Sequence, residues 1–205
     1  MVKAARGAAT PPAFGSECMV AGTKKSAMKS MFLEAQDLYD AGRLRRAAKI
    51  WEELGDAGDA DAYFNAGNCN AQLGRRKRAR RNLLRAAHLG VCEAWFNVGL
   101  VVSDEQPMAA VRHFYAAIAH GDLKGYIGAS VALHQLGRSR EAIHLLEHAV
   151  DHHVPGSFAA LGVALYDSLD DHQPDNEARI VELLSQEPDG HPRGRDVLAR
   201  ITAEE

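Results

Sequence analysis

Three histidines at helical spacing are the residues of this sequence best placed to do chemistry. His144, His148 and His152 recur every fourth residue, which stacks their imidazoles on one face of a helix. Two imidazoles at this spacing can chelate Zn²⁺ or Ni²⁺, but a structural zinc site takes four protein ligands and a catalytic site takes three plus water. Because the row lies opposite the apolar residues of the same helix, the simpler interpretation is a solvent-exposed face. The sequence therefore predicts no native metal site and no cofactor.

Neither the cysteines nor any short motif indicates catalysis. Cys18, Cys69 and Cys92 have no C-x-x-C or zinc-like spacing, so no disulfide framework is indicated and a reducing, cytoplasmic setting is expected. Cys69 and Cys92 fall at small positions of predicted helices, where burial is the simpler interpretation. The words Gly-x-Ser-x-Gly and His-Glu-x-x-His and the phosphate-binding loops do not occur in the sequence. We therefore expect a protein that is not an enzyme.

Basic residues are concentrated in the amino-terminal half. Residues 1–100 carry 16 Lys or Arg against 10 Asp or Glu, whereas residues 101–205 carry 8 against 17. A merely solvated convex face is the simplest interpretation of the densest stretch, an acidic protein partner comes next, and nucleic acid comes last because no aromatic residues for base stacking are interleaved. The candidate basic patch on this predicted helix comprises Arg75, Arg76, Lys77, Arg78, Arg81 and Arg85, and the preceding unit adds Arg43, Arg45, Arg46 and Lys49.

Identical residues at fixed offsets divide the chain into repeats. An offset of 63 residues places Leu73-Gly74-Arg75 on Leu136-Gly137-Arg138. An offset of 32 residues places Ala62, Phe64, Asn65 and Gly67 on Ala94, Phe96, Asn97 and Gly99. Five units follow, starting near residues 28, 60, 92, 123 and 155. A period in this range is typical of stacked helical or strand repeats.

Each unit contains two apolar-periodic stretches separated by a short polar or glycine turn, which predicts a helix-turn-helix hairpin. Glycine in these turns can adopt the left-handed conformation that ends the first helix. Small residues also recur inside the predicted helices, where glycine costs about 1 kcal/mol relative to alanine. The recurrence of a small residue at equivalent positions of the repeats indicates that the helices pack closely there, at Gly67, Gly99, Ser130 and Gly162.

The repeated word A-x-F-N-x-G, followed by A-A-x-x-G, carries a family resemblance. With these words, residues 60–90 and 92–121 resemble tetratricopeptide repeats of the Sel-one-like variety. The resemblance implies an all-α fold, an α-solenoid of about five helix-turn-helix repeats with a C-terminal capping helix. A cap is required because the last repeat would otherwise expose its apolar stacking face, and Val197, Leu198 and Ile201 suit that role.

The expected organisation has three parts. Residues 1–27 are predicted to be a disordered arm because they are rich in Gly, Ala, Ser, Thr and Pro without helical periodicity. Residues 28–186 form the predicted repeat solenoid, and residues 187–205 form a linker and the capping helix. No apolar run indicates a secretory signal or a membrane span. We expect a cytoplasmic protein with no membrane contact and leave its oligomeric state open.

The resemblance also implies a concave groove lined by the first helix of each unit. Asn65 and Asn97, one repeat apart, could hold the backbone of an extended peptide because an amide offers both a donor and an acceptor. The alternative is that each asparagine bonds a neighbouring helix. The implied groove positions are Lys29, Phe32, Gln36, Tyr39, Asp61, Phe64, Asn65, Asn68, Ala71, Glu93, Phe96, Asn97, Leu100, Lys124, Ile127 and His134.

The sequence analysis thus favours a protein-protein interaction scaffold or adaptor that binds a peptide or protein partner in the groove. A regulatory protein that senses a peptide is the alternative. Association with nucleic acid through the basic helix is a weaker third hypothesis.

Overall fold

The computed structural model describes residues 16–168, 174–187 and 191–203, and every regular element in these ranges is an α-helix. Successive helices pair into five hairpins, and the last helix follows the fifth hairpin. The helices are α1 (Ser16–Asp40), α2 (Leu44–Asp56), α3 (Ala60–Gln72), α4 (Arg76–His88), α5 (Glu93–Val102), α6 (Pro107–Ala119), α7 (Lys124–Gln135), α8 (Ser139–Asp151), α9 (Ser157–Ser168), α10 (Pro174–Gln186) and α11 (Gly194–Ala203).

The all-α solenoid of five repeats predicted from the sequence is confirmed. The second to fifth hairpins begin at Ala60, Glu93, Lys124 and Ser157, each within two residues of the unit start expected from the repeat offsets. In each hairpin we call α1, α3, α5, α7 and α9 the first helices and α2, α4, α6, α8 and α10 the second helices.

The first helix begins earlier than expected. α1 starts at Ser16, so residues 16–27 are helical although the sequence analysis placed them in a disordered arm. Six of these twelve residues are alanine, glutamate, lysine or methionine, which are good helix formers, and the helix continues without a break into the first repeat. Residues 1–15 of the expected arm lie outside the described residues.

Glycine ends the first helix of three hairpins, as predicted. Gly42, Gly74 and Gly137 have φ angles of 70°, 69° and 72°, in the left-handed region that costs a residue with a Cβ atom about 1 kcal/mol or more. The residue after each glycine donates its backbone N–H to a carbonyl in the preceding helix, and Arg75 for example bonds Asn70 O at 2.8 Å. This bond closes the helix carboxyl end and turns the chain into the second helix.

Glycines inside the first helices allow the close packing predicted from their repetition. A Cβ atom on Gly67 would lie 2.6 Å from Leu83 Cγ, and one on Gly99 would lie 2.5 Å from Phe114 Cε1. These distances are shorter than a van der Waals contact, so only glycine fits without a shift. Each first helix is thereby held directly against the second helix of its own hairpin.

The carboxy-terminal helix caps the stack. Val197 and Ile201 of α11 are buried in a cluster with Val163 of α9 and with Ile180 and Leu184 of α10. The apolar face of the last hairpin is therefore covered by a helix of this chain, as a solenoid end requires. The predicted capping role of these residues is confirmed.

The first helices form the inner side of the stack. α3 packs against α5, and α5 packs against α7, whereas no pair of second helices is packed comparably in the described ranges. A stack whose first helices approach more closely than its second helices curves toward the first helices. We call the exposed surface of the first helices the concave face and that of the second helices the convex face.

Candidate functional site

From the second repeat onward the concave face carries little charge, although α1 of the first repeat contains seven Asp, Glu, Lys or Arg residues. Each of the first helices α3, α5, α7 and α9 contains a single Asp, Glu, Lys or Arg residue, namely Asp61, Glu93, Lys124 and Asp167 respectively. Among the second helices, α2 and α4 each contain six such residues, whereas α6 contains one. Charged residues are depleted at the centres of protein interfaces, because they lose hydration when a partner covers them. The concave face therefore has the composition of a surface that can be covered.

An amide pair joins two repeats at the amino-terminal end of this face. Asn97 Nδ2 of α5 donates a hydrogen bond of 2.8 Å to Asn68 Oδ1 of α3. Asn97 thus bonds a neighbouring helix, whereas Asn65 is half-buried and makes no hydrogen bond with any described residue. The pair leaves Asn97 Oδ1 as a free acceptor and Asn68 Nδ2 as a donor. Both groups are suited to bonding a peptide backbone.

An apolar depression of about 290 Å³ lies between α5 and α7. Leu100 and Val131 on its rim are each 52% exposed, which is high for large aliphatic side chains. At one end the Lys124 ammonium lies 5.4 Å from the centre of the Phe96 ring, in range of a cation–π attraction. We call this the α5–α7 depression, and it is lined by Phe96, Leu100, Ser103, Phe114, Lys124, Ile127, Gly128, Val131 and Ala132.

A second depression, of about 210 Å³, lies between α7 and α9. Ile127 and Val131 of α7 line both depressions, so α7 forms a ridge between two adjacent apolar hollows. α8 forms the floor of the second hollow through Ala142 and Leu146. We call this the α7–α9 depression, and its lining is completed by Ser130, His134, Ser139, Ala160, Val163, Ala164, Asp167, His191 and Arg193.

The segment before α11 closes one end of the α7–α9 depression. The Arg193 guanidinium donates two hydrogen bonds, of 2.6 and 2.9 Å, to the Asp167 carboxylate of α9. Its backbone N–H also donates to His191 Nδ1 at 3.1 Å. Burial lowers the pKa of His191, the Arg193 cation lowers it further, and Asp167 opposes both effects. A neutral imidazole at neutral pH is the result, and it keeps this rim close to electrically neutral.

The structure brings together part of the groove expected from the sequence. Phe96, Leu100, Lys124, Ile127 and His134 line the two depressions. Sequence reasoning missed Val131, which could have been found as the residue four positions after Ile127 on the same helix face. It also missed His191 and Arg193, for which the sequence held no signal because they belong to the expected linker.

The groove positions of the first repeat are occupied by internal contacts. Phe32 and Tyr39 pack their rings against Trp51, with centroids 6.3 and 5.7 Å apart. The Tyr39 hydroxyl accepts a hydrogen bond from Gln72 Nε2 at 2.9 Å. Gln36 donates to Asp40 of its own helix at 3.0 Å. These side chains stabilise the first two repeats and lie apart from both depressions.

The remaining groove positions are divided between surface and packing roles. Asp61 and Glu93 are exposed in the first turns of α3 and α5. Phe64 is partly buried against the cluster that contains Leu83 and Val98. Phe64 is therefore less accessible to a partner than Leu100 of α5 and Val131 of α7, which are each about half exposed.

The histidine row is exposed, as expected, and its members contact one another and a tyrosine. The rings of His144 and His148 meet edge to face at 4.7 Å, and Tyr126 of α7 stacks on His148 and His152. His152 Nδ1 lies 2.8 Å from the backbone oxygen of His148. Within the described ranges, no group of three or more His, Cys, Asp or Glu residues is arranged to hold a metal ion.

Half of the candidate basic patch is neutralised by acidic residues of α2 and of the turn between α5 and α6. Arg76 donates to Asp104 at 2.7 Å and to Glu105 at 3.2 Å. Arg81 and Arg85 pair with acids of α2. Arg75, Lys77 and Arg78 form no ion pair with any residue that the structure describes. They line a shallow open hollow at the start of α4.

Cys69 is a packing residue rather than a nucleophile. Its side chain is fully buried in the first core cluster, and burial raises the pKa of the thiol to about 11. The thiolate is therefore scarce at neutral pH, which agrees with the burial expected from the sequence. Cys92 precedes α5 at its amino-terminal boundary, where its Sγ lies 3.6 Å from Gly90 O.

Three histidines surround Trp95 where α4, α5 and α6 meet. His113 and His120 stack on the indole at 6.0 Å, and His88 meets it edge to face at 5.3 Å. Burial lowers the pKa of His113, and the nearby Arg80 and Arg112 cations lower it further. Protonation of His113 in the folded protein is therefore opposed by its surroundings.

We expect acid to destabilise the protein partly through His113. The pKa of His113 in the folded protein lies below the unfolded value of 6.5, so the unfolded state binds more protons between these two pKa values. The contribution of His113 to the free energy of unfolding is therefore present above pH 6.5 and is lost as pH falls toward the folded pKa. The loss of unfolding free energy between about pH 7.5 and pH 5.5 should be smaller in His113→Phe, which keeps a ring against Trp95. Arg80→Met should reduce the loss partially. An unchanged loss in His113→Phe would contradict this assignment.

No helix in the described ranges is both long enough and apolar enough to span a bilayer.

Solved structures of tetratricopeptide-repeat proteins share this fold. YrrB, described as a TPR protein with an unusual peptide-binding site, is 24% identical with a TM-score of 0.58, and the match covers 83% of this chain and 89% of that one. A MamA structure is 16% identical with a TM-score of 0.65, over 80% of this chain and 95% of that one. A MamA fragment from Desulfovibrio magneticus RS-1 is 19% identical with a TM-score of 0.62, over 78% and 92%.

These likenesses establish a tetratricopeptide-like α-solenoid, while the Sel-one-like variety stays a prediction. No protein-family model and no curated protein matches the sequence.

Proposed function

We propose that this protein is a binding module that holds an extended peptide segment of a partner protein on its concave face. The proposal is carried by the two adjacent apolar depressions on either side of α7, where the first helices α5, α7 and α9 carry one charged residue each. Exposed aliphatic side chains such as Leu100 and Val131 gain about 25 cal/mol for each Å² that a partner covers. The protein would act as an interaction scaffold.

The depressions support a peptide with two apolar anchor residues. They share the Ile127–Val131 ridge, so their centres are separated by about the distance between packed helices, roughly 8–10 Å. An extended chain advances about 3.3 Å per residue, so anchors about three residues apart would reach both hollows. Each hollow is large enough for one aliphatic or aromatic side chain.

The amide pair favours an extended peptide over a helical one. An extended segment has unpaired backbone donors and acceptors, whereas those of a helix are already bonded within it. Asn97 Oδ1 and Asn68 Nδ2 can pair with such a backbone without losing their mutual hydrogen bond. YrrB, which shares this fold, is itself described as having a peptide-binding site.

Peptide selection tests the proposal directly. A displayed library of random peptides would be selected on the immobilised full chain, and the enriched peptides would be measured by fluorescence polarisation. We expect enrichment of peptides with two apolar residues, and at least about a tenfold loss of affinity in Val131→Asp, because a buried carboxylate without a partner is costly.

The matched control is Leu89→Asp, which places the same charge at an exposed leucine outside both depressions (55% exposed in Leu89, 52% in Val131). Circular dichroism would check that both variants stay folded. Equal loss of affinity in the two variants, or unchanged binding by Val131→Asp, would exclude the concave depressions as the binding site.

A further inference from the structure

Two ion pairs join α2 to α4 along the convex face. Arg81 lies 3.8 Å from Glu52, and Arg85 lies 3.2 Å from Asp56. In each pair the α4 residue is 29 positions later in the sequence than its partner in α2. The offset is the same in both pairs because the two helices run parallel, as the second helices of adjacent repeats. Arg85 is held further by the Tyr63 hydroxyl at 3.0 Å. We call the line of facing residues the α2–α4 seam.

One step toward the amino-terminal ends, extending the same offset assigns two cations to facing positions of the seam. The same offset of 29 pairs Lys49 with Arg78. Lys49, Glu52 and Asp56 are on one face of α2 because they are spaced by three and four residues, and Arg78, Arg81 and Arg85 share one face of α4 for the same reason. The third pair of the seam is therefore lysine against arginine.

Among the residues that the structure describes, these two cations have no strong partner. Lys49 lies 3.8 Å from Glu53 of its own helix, with 80% and 53% of the two side chains exposed, so solvent screens most of their attraction. Arg78 forms no ion pair within the described ranges, and neither does Arg46 or Arg75, the pair that the same offset gives at the next step along the seam. The amino-terminal half of the seam is thus entirely cationic.

A hollow adjoins this cationic half on the α4 side, and no residue of α2 lines it. It is lined by the start of α4, including Arg75, Lys77 and Arg78, and by Glu105 of the next repeat. Arg76 is turned toward Asp104 and Glu105 by its two hydrogen bonds, which leaves the other three cations around the opening. The hollow is separate from the concave depressions, since none of its lining residues is shared with them.

We propose that the amino-terminal half of the α2–α4 seam binds an acidic segment of a protein partner, whose carboxylates are held between Lys49 and Arg78. The other half of the seam already holds carboxylates, because those of Glu52 and Asp56 lie against Arg81 and Arg85. A partner's Asp or Glu residues at similar spacing continue this pattern. No aromatic side chain lines the hollow, so stacking of nucleic-acid bases has no platform there.

The charge of the whole amino-terminal half supports association with an acidic partner. Residues 1–100 carry six more Lys and Arg than Asp and Glu. Such a surface accelerates encounter with an anionic segment at low ionic strength, and added salt weakens the attraction. The seam residues would then determine where the segment docks.

The same arrangement predicts an unusual effect on stability. Arg78→Glu would place a carboxylate opposite Lys49 and convert the repulsive pair into a third ion pair of the seam. We expect the melting temperature of the free protein to rise by about 1–3 °C, while binding of an acidic segment is lost. Lys49→Glu together with Arg78→Glu puts two carboxylates opposite each other and should lose binding without the rise.

The test uses the full chain and two fluorescein-labelled probes, a glutamate-rich peptide and a single-stranded oligonucleotide of equal net charge, measured by fluorescence anisotropy at low salt. We expect Arg78→Glu to weaken peptide binding by about tenfold or more. The matched control is Arg112→Glu, which makes the same charge change at an exposed arginine of α6 away from the seam, and it should weaken binding by less than about threefold.

Three results would overturn the proposal. The first is equal weakening by Arg78→Glu and Arg112→Glu, which indicates general charge attraction. The second is a lower melting temperature in Arg78→Glu with peptide binding retained. The third is tighter binding of the oligonucleotide than of the peptide, which would assign the seam to nucleic acid.

Discussion

Phe114→Ala is expected to lower the free energy of unfolding by about 3–5 kcal/mol. The Phe114 side chain is 1% exposed and fills the space between α5 and α7. Glycine makes this space possible, because Cβ atoms on Gly99 and Gly128 would lie 2.5 and 2.6 Å from the ring. Truncation of Phe114 to alanine would leave a cavity that Gly99 and Gly128 cannot fill, because glycine has no side chain. Urea denaturation followed by circular dichroism measures the loss.

Tyr115→Ala is the matched control for Phe114→Ala. Tyr115 is the next residue of α6 and is 45% exposed, so its truncation should change the unfolding free energy by no more than about 0.5 kcal/mol. A loss below about 1 kcal/mol in Phe114→Ala would contradict the cavity argument.

A variant on the facing helix tests the same contact from the other side. Gly99→Ala adds a methyl group against the Phe114 ring, and overpacking of this kind costs about 1–3 kcal/mol. Alanine is favoured over glycine in a helix by about 1 kcal/mol, so a net loss of stability requires the steric clash. A net gain would show that Phe114 can move aside.

Glu52→Ala is expected to cost about 2–4 kcal/mol, the second large effect. Glu52 Oε1 accepts hydrogen bonds from Asn82 Nδ2 at 2.7 Å and from Asn70 Nδ2 at 3.1 Å. Both asparagines are fully buried. Asn70 Nδ2 also donates to Ala66 O at 2.9 Å, whereas Asn82 would be left in the core without an acceptor. Thermal and urea denaturation measure the loss.

Neighbouring and compensating variants distinguish this network from a general charge effect. Glu53→Ala removes an adjacent exposed carboxylate and should change stability by no more than about 0.5 kcal/mol. Glu52→Gln keeps an oxygen acceptor and should fall between wild type and Glu52→Ala. Adding Asn82→Leu to Glu52→Ala removes the orphaned amide and should restore part of the stability. No recovery in that double variant would argue against the network.

Local signals in the sequence were sufficient for the architecture. Glycines such as Gly74 predicted where first helices end, because the left-handed backbone conformation found there costs little free energy only in a residue without a Cβ atom. The repeated small residues predicted helix contact, which the short approaches at Gly67 and Gly99 confirm. The apolar residues after the last hairpin predicted the cap. The amino-terminal boundary was wrong, since composition does not reveal that α1 extends to Ser16.

The candidate sites depended on contacts between residues far apart in the chain. Arg76 and Asp104 are 28 positions apart, and no periodicity in the sequence shows that they pair and leave Arg75, Lys77 and Arg78 open. Likewise, Asn97 was expected either to bond a neighbouring helix or to hold a peptide. The hydrogen bond to Asn68 shows that Asn97 bonds a neighbouring helix, and it leaves Asn97 Oδ1 available for a peptide.

The sequence by itself determined the repeat period, the helical hairpins and the identity of their close-packed faces, because these follow from residues within one or two turns of each other. Only the tertiary structure decided which side chains remain available. The distance between α7 and α9 opens a hollow that Arg193 and Asp167 close at one end, and the parallel alignment of α2 and α4 pairs Arg81 with Glu52 and Arg85 with Asp56. Such pairings arise from the stacking of whole helices, whose spacing is the sum of many packing contacts and is not encoded at any single position.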